Sequence, residues 1–532
     1  MPYTRTMNLR KMPIGIQDFE TIRTEGFVYV DKTALVYHLA NEGTQCFLGR
    51  PRRFGKSLLQ STLKYYFQGK KELFEGLAGQ AKLAIAELEQ DWPVHPVFHI
   101  DLSGGRYNSL EGLDSELASN LRPLEAQWGR DPEEDTPGAR FQGLLRRACA
   151  KSGKKVVVLI DEYDKPLVQN LDKPELLEEL RMALAGFYGV LKGSGQYIRF
   201  VLLTGVTKFS KVNVFSDLNH LEDISMDKTY ADICGLSAQE LVDNFKPELQ
   251  ALAEENHLSY DEALAKMQRL YNGYHFAPGA EGMFNPFGVL NTLKKRKFGY
   301  YWFETGTPSI LLKEIKNNNI NLLEYTRDVT IREFSLTDYR ANGGNPIPLL
   351  YQSGYLTIKD YDSQTKEYTL GFPNEEVEYG FLEELLMVYL PPPVNNQGFY
   401  VVDFIKDLRK GDSNSFLTRL KALFYSIPYP VKEQSEYHYQ SLFYLLIRLM
   451  GQFAQAELQC AAGRADVVVT MTDAVYCFEF KLSGNGTATE ALTQIDDKGY
   501  LIPFTAGGKR LVKAGVVFDN EKHTLGEWKI SE

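Results

Sequence analysis

The chain has 532 residues, a net charge of −10, 44% hydrophobic residues and 24% charged residues. That length exceeds one hydrophobic core and predicts about two to four domains. The acidic balance argues against a general nucleic-acid coat, though not against a local basic groove. Five cysteines without a C-x-x-C pair give neither a disulfide framework nor a zinc site. No long apolar run and no apolar leader within Met1–Gln17 is present, so no membrane span or signal peptide is expected, and the reading is a soluble cytoplasmic protein.

The first informative element is an apolar strand that closes into Gly49-Arg50-Pro51-Arg52-Arg53-Phe54-Gly55-Lys56-Ser57 and opens a helix. A turn ending in Gly-Lys-Ser between strand and helix aims backbone N–H groups at phosphates. Lys56 then reaches the β/γ oxygens and the Ser57 hydroxyl takes Mg²⁺. Arg52, Arg53, Phe54 and Gly55 are the loop's own candidates for the nucleotide, the two arginines either steering phosphates or facing solvent. The usual pattern has Gly six residues before the Lys, where this chain has Arg50; Gly49 comes one residue early.

Val97–Asp101 reads as a buried strand. Val156-Val157-Val158-Leu159-Ile160 is another, buried on both faces as in parallel sheets, and it ends in Asp161 and Glu162. Ligands of open α/β sheets bind at that end of the strands. Asp161 is the candidate for Mg²⁺ through water and Glu162 for polarising the attacking water; the alternative is that both cap the next turn. Leu176 to Tyr188 predicts an amphipathic helix. The strand Ile198–Thr207 ends in hydroxyls, with Thr204 the first candidate for a γ-phosphate sensor and Thr207 the second, or both ordinary strand-end hydroxyls. Strand and helix in alternation predict an α/β fold with a parallel sheet.

From Ser237 to Leu270 the pattern becomes helical, opened by a capping box at Ser237-Ala238-Gln239-Glu240. Tyr271–Phe276 interrupts it with aromatics around Gly273. Lys294-Lys295-Arg296-Lys297 is the dense cationic cluster, read as a solvated helix face. Two short strands, Gly354–Ile358 and Glu367–Leu370, flank a hairpin turn at Asp362–Gln364, so this region resembles a winged-helix unit. Pro391-Pro392-Pro393-Val394-Asn395-Asn396 reads as a linker.

Beyond it, Arg464–Thr470 and Val475–Lys481 predict adjacent strands. They present Asp466 at the start of one, and Glu479 and Lys481 on one face of the next. Phosphodiester hydrolysis needs carboxylates for Mg²⁺ and a nearby cation, and these three supply both. The alternative is a salt-bridged hairpin. A following helix carries Gln494 and leads to Tyr500, placing Gln494 with the catalytic candidates, and Val512–Phe518 predicts a further buried strand. Glu436 is either a further acid or a solvated helix residue.

These segments together resemble bacterial proteins that pair an AAA-ATPase-like domain with a C-terminal PD-(D/E)XK nuclease-superfamily domain. The resemblance rests on Tyr29-Val30-Asp31-Lys32-Thr33, the Arg50–Ser57 loop, Asp161-Glu162-Tyr163-Asp164-Lys165-Pro166-Leu167, Tyr271-Asn272-Gly273-Tyr274, Tyr301–Thr307, and Gly463–Asp466 with Glu479-Phe480-Lys481. In that family Arg normally stands where the first loop Gly is usual, which accounts for Arg50. The resemblance extends to STAND-type P-loop switches, which implies a nucleotide contact from the helical side at His275, or else a packed His. It implies a P-loop domain over 1–236, a helical and winged-helix-like region over 237–390, a linker at 391–400 and a nuclease-like domain over 401–532. It further implies ATP and Mg²⁺ as cofactors (Mn²⁺ also at the nuclease site), DNA as partner, no membrane, and room for a homo-oligomer. The expected function is a slowly hydrolysing ATP switch, on the order of 10⁻⁴–10⁻² s⁻¹ without an arginine finger, governing a Mg²⁺-dependent DNA nuclease in defence against mobile DNA. The alternative is a non-catalytic switch whose C-terminal domain binds nucleic acid or protein.

Overall fold

The aliphatic runs of the first part become strands with no solvent face. In the computed structural model, which describes residues 10–76, 81–208, 221–303, 328–336, 345–389, 401–425, 445–450, 467–471, 473–519, 521–522 and 524–532, contacts divide the chain into Met1–Glu378 and Tyr379–Glu532. In the first unit β1 (Gln45–Gly49), β2 (Val97–Asp101), β3 (Val156–Asp161), β4 (Ile198–Gly205) and β5 (Glu222–Asp223) form one sheet. Its order is β2-β3-β4-β1-β5, and every neighbouring pair is parallel. β3 is buried at every position, which its Val-Val-Val-Leu-Ile composition requires.

That order decides the site. β4 lies between β1 and β3, with Leu48 beside Thr204 and Ile160 beside Leu203. The end of β4 therefore stands between the Gly49–Ser57 loop and Asp161. Helices cover the sheet, and their ends follow local chemistry. Thr136 caps the Pro137–Ser152 helix by accepting from the Ala139 N–H, and Gly153 closes it at φ 67. The helix expected over Leu176–Tyr188 runs from Pro174 to Gly193, and Phe187 stacks on Phe141 at 4.9 Å to join the two helices.

Within the same unit, the Ser237–Glu240 capping box forms with both hydrogen bonds and opens the helix Ala238–Glu255. Phe245, Leu249 and Leu252 of that helix pack with Met267 and Leu270 of the helix Tyr260–Tyr271. The expected hairpin is present as β7 (Thr357–Asp362) and β8 (Glu367–Gly371). A third strand, β6 (Val329–Arg332), pairs with β8 and completes a small antiparallel sheet after the winged-helix pattern. β6 has one buried residue in four, too little periodicity to read from sequence.

The second unit begins within the helix Glu375–Tyr389 and continues with the helices Val401–Arg409 and Ser413–Tyr425. Four strands follow: β9 (Val467–Thr470), β10 (Ala474–Leu482), β11 (Arg510–Asp519) and β12 (Thr524–Ser531), in the order β12-β11-β10-β9. β10 and β11 are parallel and the outer pairs antiparallel. A parallel pair needs a crossover, here the helix Ala488–Asp497. It lies directly on Gly515, which pairs with Glu479 across β10–β11. A Cβ at Gly515 would stand 2.2 Å from the Ala488 carbonyl oxygen and 2.9 Å from the Leu492 nitrogen, both rigid backbone. Gly515→Ala should therefore destabilise this unit by about 1–3 kcal/mol, the range for overpacking. Chemical denaturation of the full chain, followed through the unit's own transition, checks it; an unchanged midpoint would show that the helix is free to shift.

The Pro391–Asn396 linker, Glu436 and Asp466 lie outside the described residues. Among the described residues, no helix is long and apolar enough to cross a membrane.

Candidate functional site

After β1 the chain passes through left-handed backbone at Arg53 (φ 66) and Gly55 (φ 98), and the helix Lys56–Phe67 begins. The turn leaves Lys56 almost buried, at 4% exposure. Its ammonium donates to the carbonyls of Arg50 (3.0 Å) and Pro51 (3.3 Å) and stands 3.7 Å from Glu162 Oε1. The Ser57 hydroxyl hydrogen-bonds the Asp161 carboxylate. Burial pushes the Asp161 carboxyl up, and the Ser57, Thr204 and Lys56 contacts oppose that shift.

Glu162 adopts φ 54, a conformation that costs a non-glycine residue on the order of 1–3 kcal/mol unless its surroundings impose it. They do. The Tyr163 N–H donates to the Thr204 carbonyl at 3.1 Å, and buried Asp164 accepts from the Val206 N–H (3.0 Å), the Thr207 N–H (2.6 Å) and the Thr207 hydroxyl (2.6 Å). Burial, then the neighbouring Glu162 charge, raises the Asp164 carboxyl. The exit turns of β3 and β4 are thus tied together, and Glu162 is held facing Lys56.

Lys56, Ser57 and Glu162 open on a cavity of ≈ 650 Å³ at the loop, within the span of small-molecule sites. Arg52, Arg53, Gly55, Lys56, Ser57, Glu162 and Thr207 line it, and Pro13, Ile14, Ile16, Phe287, Leu290, Trp302 and Tyr355 supply apolar surface. Oxygen donors on Ser57 and Asp161 suit Mg²⁺, which takes one or two protein oxygens and completes its shell with phosphate and water. Among the described residues, no group of three His, Cys, Asp or Glu is placed to hold a metal ion. That apolar surface is absent from the sequence reading, because Pro13–Gln17 is irregular chain with no periodicity.

The other loop residues divide. Arg52 is exposed, and its carbonyl accepts from Trp302 Nε1 at 3.0 Å; the Arg53 guanidinium lies 4.8 Å over the Phe287 ring. The Phe54 side chain turns away and packs edge-on against Tyr274 (4.7 Å) and Phe276 (5.3 Å), leaving only its backbone to the loop. Arg50 is buried, donating to the carbonyls of Gly49 (2.9 Å), Ser225 (2.7 Å) and Tyr230 (2.9 Å), with its guanidinium 4.1 Å over Phe276. Thr204 is fully buried and does not line the cavity. His275 is not brought to the cavity either. Its Nδ1 lies 2.9 Å from the Ala280 carbonyl, its N–H donates to Thr357 Oγ1 at 2.7 Å, and it borders a separate small cavity beside Arg50 and Tyr351. From the helical side, Phe287, Leu290 and Trp302 stand at the loop instead.

In the second unit, strand alternation puts Glu479 and Lys481 on one face of β10, and the crossover helix lowers Gln494 between them. The Gln494 amide nitrogen donates to Glu479 Oε1 and its oxygen accepts from Lys481 Nζ. Lys481 Nζ is 3.7 Å from Glu479 Oε1, and the Tyr500 hydroxyl is 3.5 Å from the Gln494 nitrogen. Glu479 is 3% exposed. Val467, the residue after Asp466, pairs with Phe478 next to Glu479.

Residues 13–215 match the family described as predicted AAA-ATPase, AAA-ATPase-like, and residues 434–528 match the PD-(D/E)XK nuclease superfamily. A protein of Azotobacter chroococcum mcd 1, described as an uncharacterized protein in the vnfD 5′ region, is 36% identical over 531 residues, covering 98% of this chain and 98% of that one. The chain belongs to this AAA-ATPase-like, PD-(D/E)XK family. Among solved structures it is similar to the Aeropyrum pernix ORC2 protein, determined as ADPNP–ADP complexes, at 12% identity with a TM-score of 0.22, over 66% of this chain and 92% of that one; so slight a likeness fixes no feature of the site. The AAA-ATPase-like match contains the Lys56–Glu162 group, and the PD-(D/E)XK match contains Glu479, Lys481 and Gln494.

Proposed function

We propose that this AAA-ATPase-like, PD-(D/E)XK protein is an ATP-binding switch of the STAND kind that hydrolyses ATP slowly and governs a metal-dependent DNA nuclease. One observation carries the reading: each unit holds a lysine and a glutamate 3.7 Å apart in a shielded site, Lys56 with Glu162 and Lys481 with Glu479. At the first, Lys56 and the loop N–H groups bind the β- and γ-phosphates, and the base lies against Phe287 and Leu290. Ser57 and Asp161 would hold Mg²⁺, which neutralises phosphate charge. Glu162 accepts the proton of the water that attacks the γ-phosphorus, and the bond to the ADP oxygen breaks.

At the second, Glu479, with Asp466, would hold Mg²⁺ or Mn²⁺, which neutralises charge on the scissile phosphate. Lys481 stabilises charge that develops there, and Gln494 orients both Glu479 and Lys481. A role in defence against mobile DNA is supported by the domain pairing alone, an argument by association. The net charge of −10 favours a second reading, a switch whose C-terminal unit binds a partner and cuts nothing.

The test is cleavage of plasmid and single-stranded DNA with Mg²⁺ or Mn²⁺, with and without ATP. Cleavage that Lys481→Ala abolishes and that ATP or Lys56→Ala alters is the expected result. Intact ATP binding with no cleavage under any of these conditions would transfer the reading to the binding switch.

A further inference from the structure

The end of β4 is where a polar side chain would report the γ-phosphate, and Thr204 occupies it. We infer that Thr204 is instead a positioning residue for Asp161, and that Gln60 commits it to that task. The inference rests on the nucleotide site proposed above and concerns how its acid is held.

The Thr204 hydroxyl has one proton to give. Gln60 is fully buried on the helix that follows the loop. One of its amide atoms lies 2.8 Å from the Ile160 carbonyl oxygen and 2.7 Å from Thr204 Oγ1. A backbone carbonyl only accepts, so that atom is the NH₂ group, and it donates to the threonine as well. Thr204 Oγ1 therefore already accepts a hydrogen bond. Its single proton goes to Asp161 Oδ1 at 2.5 Å. No donor remains for a phosphate, and the side chain is shut out of the cavity.

The same contacts explain why the relay is directional. Gln60 fixes the Thr204 hydroxyl, the hydroxyl fixes one Asp161 oxygen, and Ser57 meets the same carboxylate. Asp161 is thus held by groups from β4 and from the helix after the loop, in the manner of outer partners that orient a metal-binding carboxylate. Thr207 is likewise engaged, since its hydroxyl donates to Asp164.

A reader of the γ-phosphate and a positioner of the metal acid leave different signatures in binding. Titration calorimetry of the full chain with ATP and with ADP, each with and without Mg²⁺, separates them. For Thr204→Val the gain in nucleotide affinity produced by Mg²⁺ should shrink about 10–100-fold, the range for lost outer partners, for ATP and ADP alike. The preference for ATP over ADP without Mg²⁺ should stay as in the parent, and Thr204→Ser should restore the Mg²⁺ effect. Gln60→Met, which removes the amide donors at similar volume, should move the Mg²⁺ effect in the same direction by less, and it decides the matter if Thr204→Val does not fold. A fall in ATP preference with the Mg²⁺ effect intact, or no change in either variant, would overturn the inference. Failure of the parent protein to bind either nucleotide would instead overturn the nucleotide reading itself.

Discussion

Lys481→Ala should lower DNA cleavage by about 10²–10³-fold, the loss typical when one charge-stabilising donor is removed from a preorganised site, with ATP affinity unchanged. The expectation follows from where the ammonium stands. It lies on β10, is 3.7 Å from Glu479 and is held by the Gln494 oxygen, so it is fixed before substrate arrives. Lys481→Arg should fail to restore cleavage, because a planar guanidinium cannot occupy the place of a compact ammonium against the Gln494 oxygen. A purely structural Lys481 would give another result: a lower melting temperature in both variants, with cleavage tracking the folded fraction. Cleavage rate and thermal unfolding on the same preparations distinguish the two.

Glu162→Gln should lower ATP hydrolysis by about 10²–10⁴-fold, the usual contribution of a positioned base, while ATP still binds. Glutamine keeps the side-chain shape but cannot take up the proton of the attacking water. The backbone supplies a sharper version of the test. Glu162 sits at φ 54, where glycine carries no penalty, so Glu162→Gly should lose hydrolysis without losing stability. A variant that is at least as stable as the parent and yet inactive would mark Glu162 as a residue kept for chemistry. If hydrolysis survived in either variant, the base would have to be sought among the other cavity residues.

The parts legible in the sequence were those set by chain-local physics. A five-residue aliphatic run followed by two acids can hardly be anything but a buried strand with its carboxylates at the ligand end, and β3 is that strand. The Ser237–Glu240 capping box forms because its partners are three residues apart. The exit of β10 carries Glu479 and Lys481 on one face because alternation leaves no other choice.

What stayed hidden depends on contacts between distant segments. Pro13–Gln17 and Phe287 reach the loop only through the fold of the first unit. Gln60 looks like any helix residue until β4 is known to lie between β1 and β3. His275 sits in a suggestive aromatic turn, yet its ring is turned toward Ala280. β12 carries mixed polar and apolar residues of which few are buried, so it gives no strong period.

Arg50 has a consequence for how the first unit can move. In place of the small residue that leaves most phosphate loops free to adjust, this loop begins with a bolt: a buried guanidinium gripping the carbonyls of Ser225 and Tyr230 and lying on the face of Phe276. Loop and bolt cannot part company cheaply, since an uncoupled guanidinium would be left buried without its acceptors. A ligand that tightened the loop would therefore also hold the segments around Ser225, Tyr230 and Phe276, and by linkage strain in those segments would weaken that ligand's binding. The loop would in this sense also be a strain gauge.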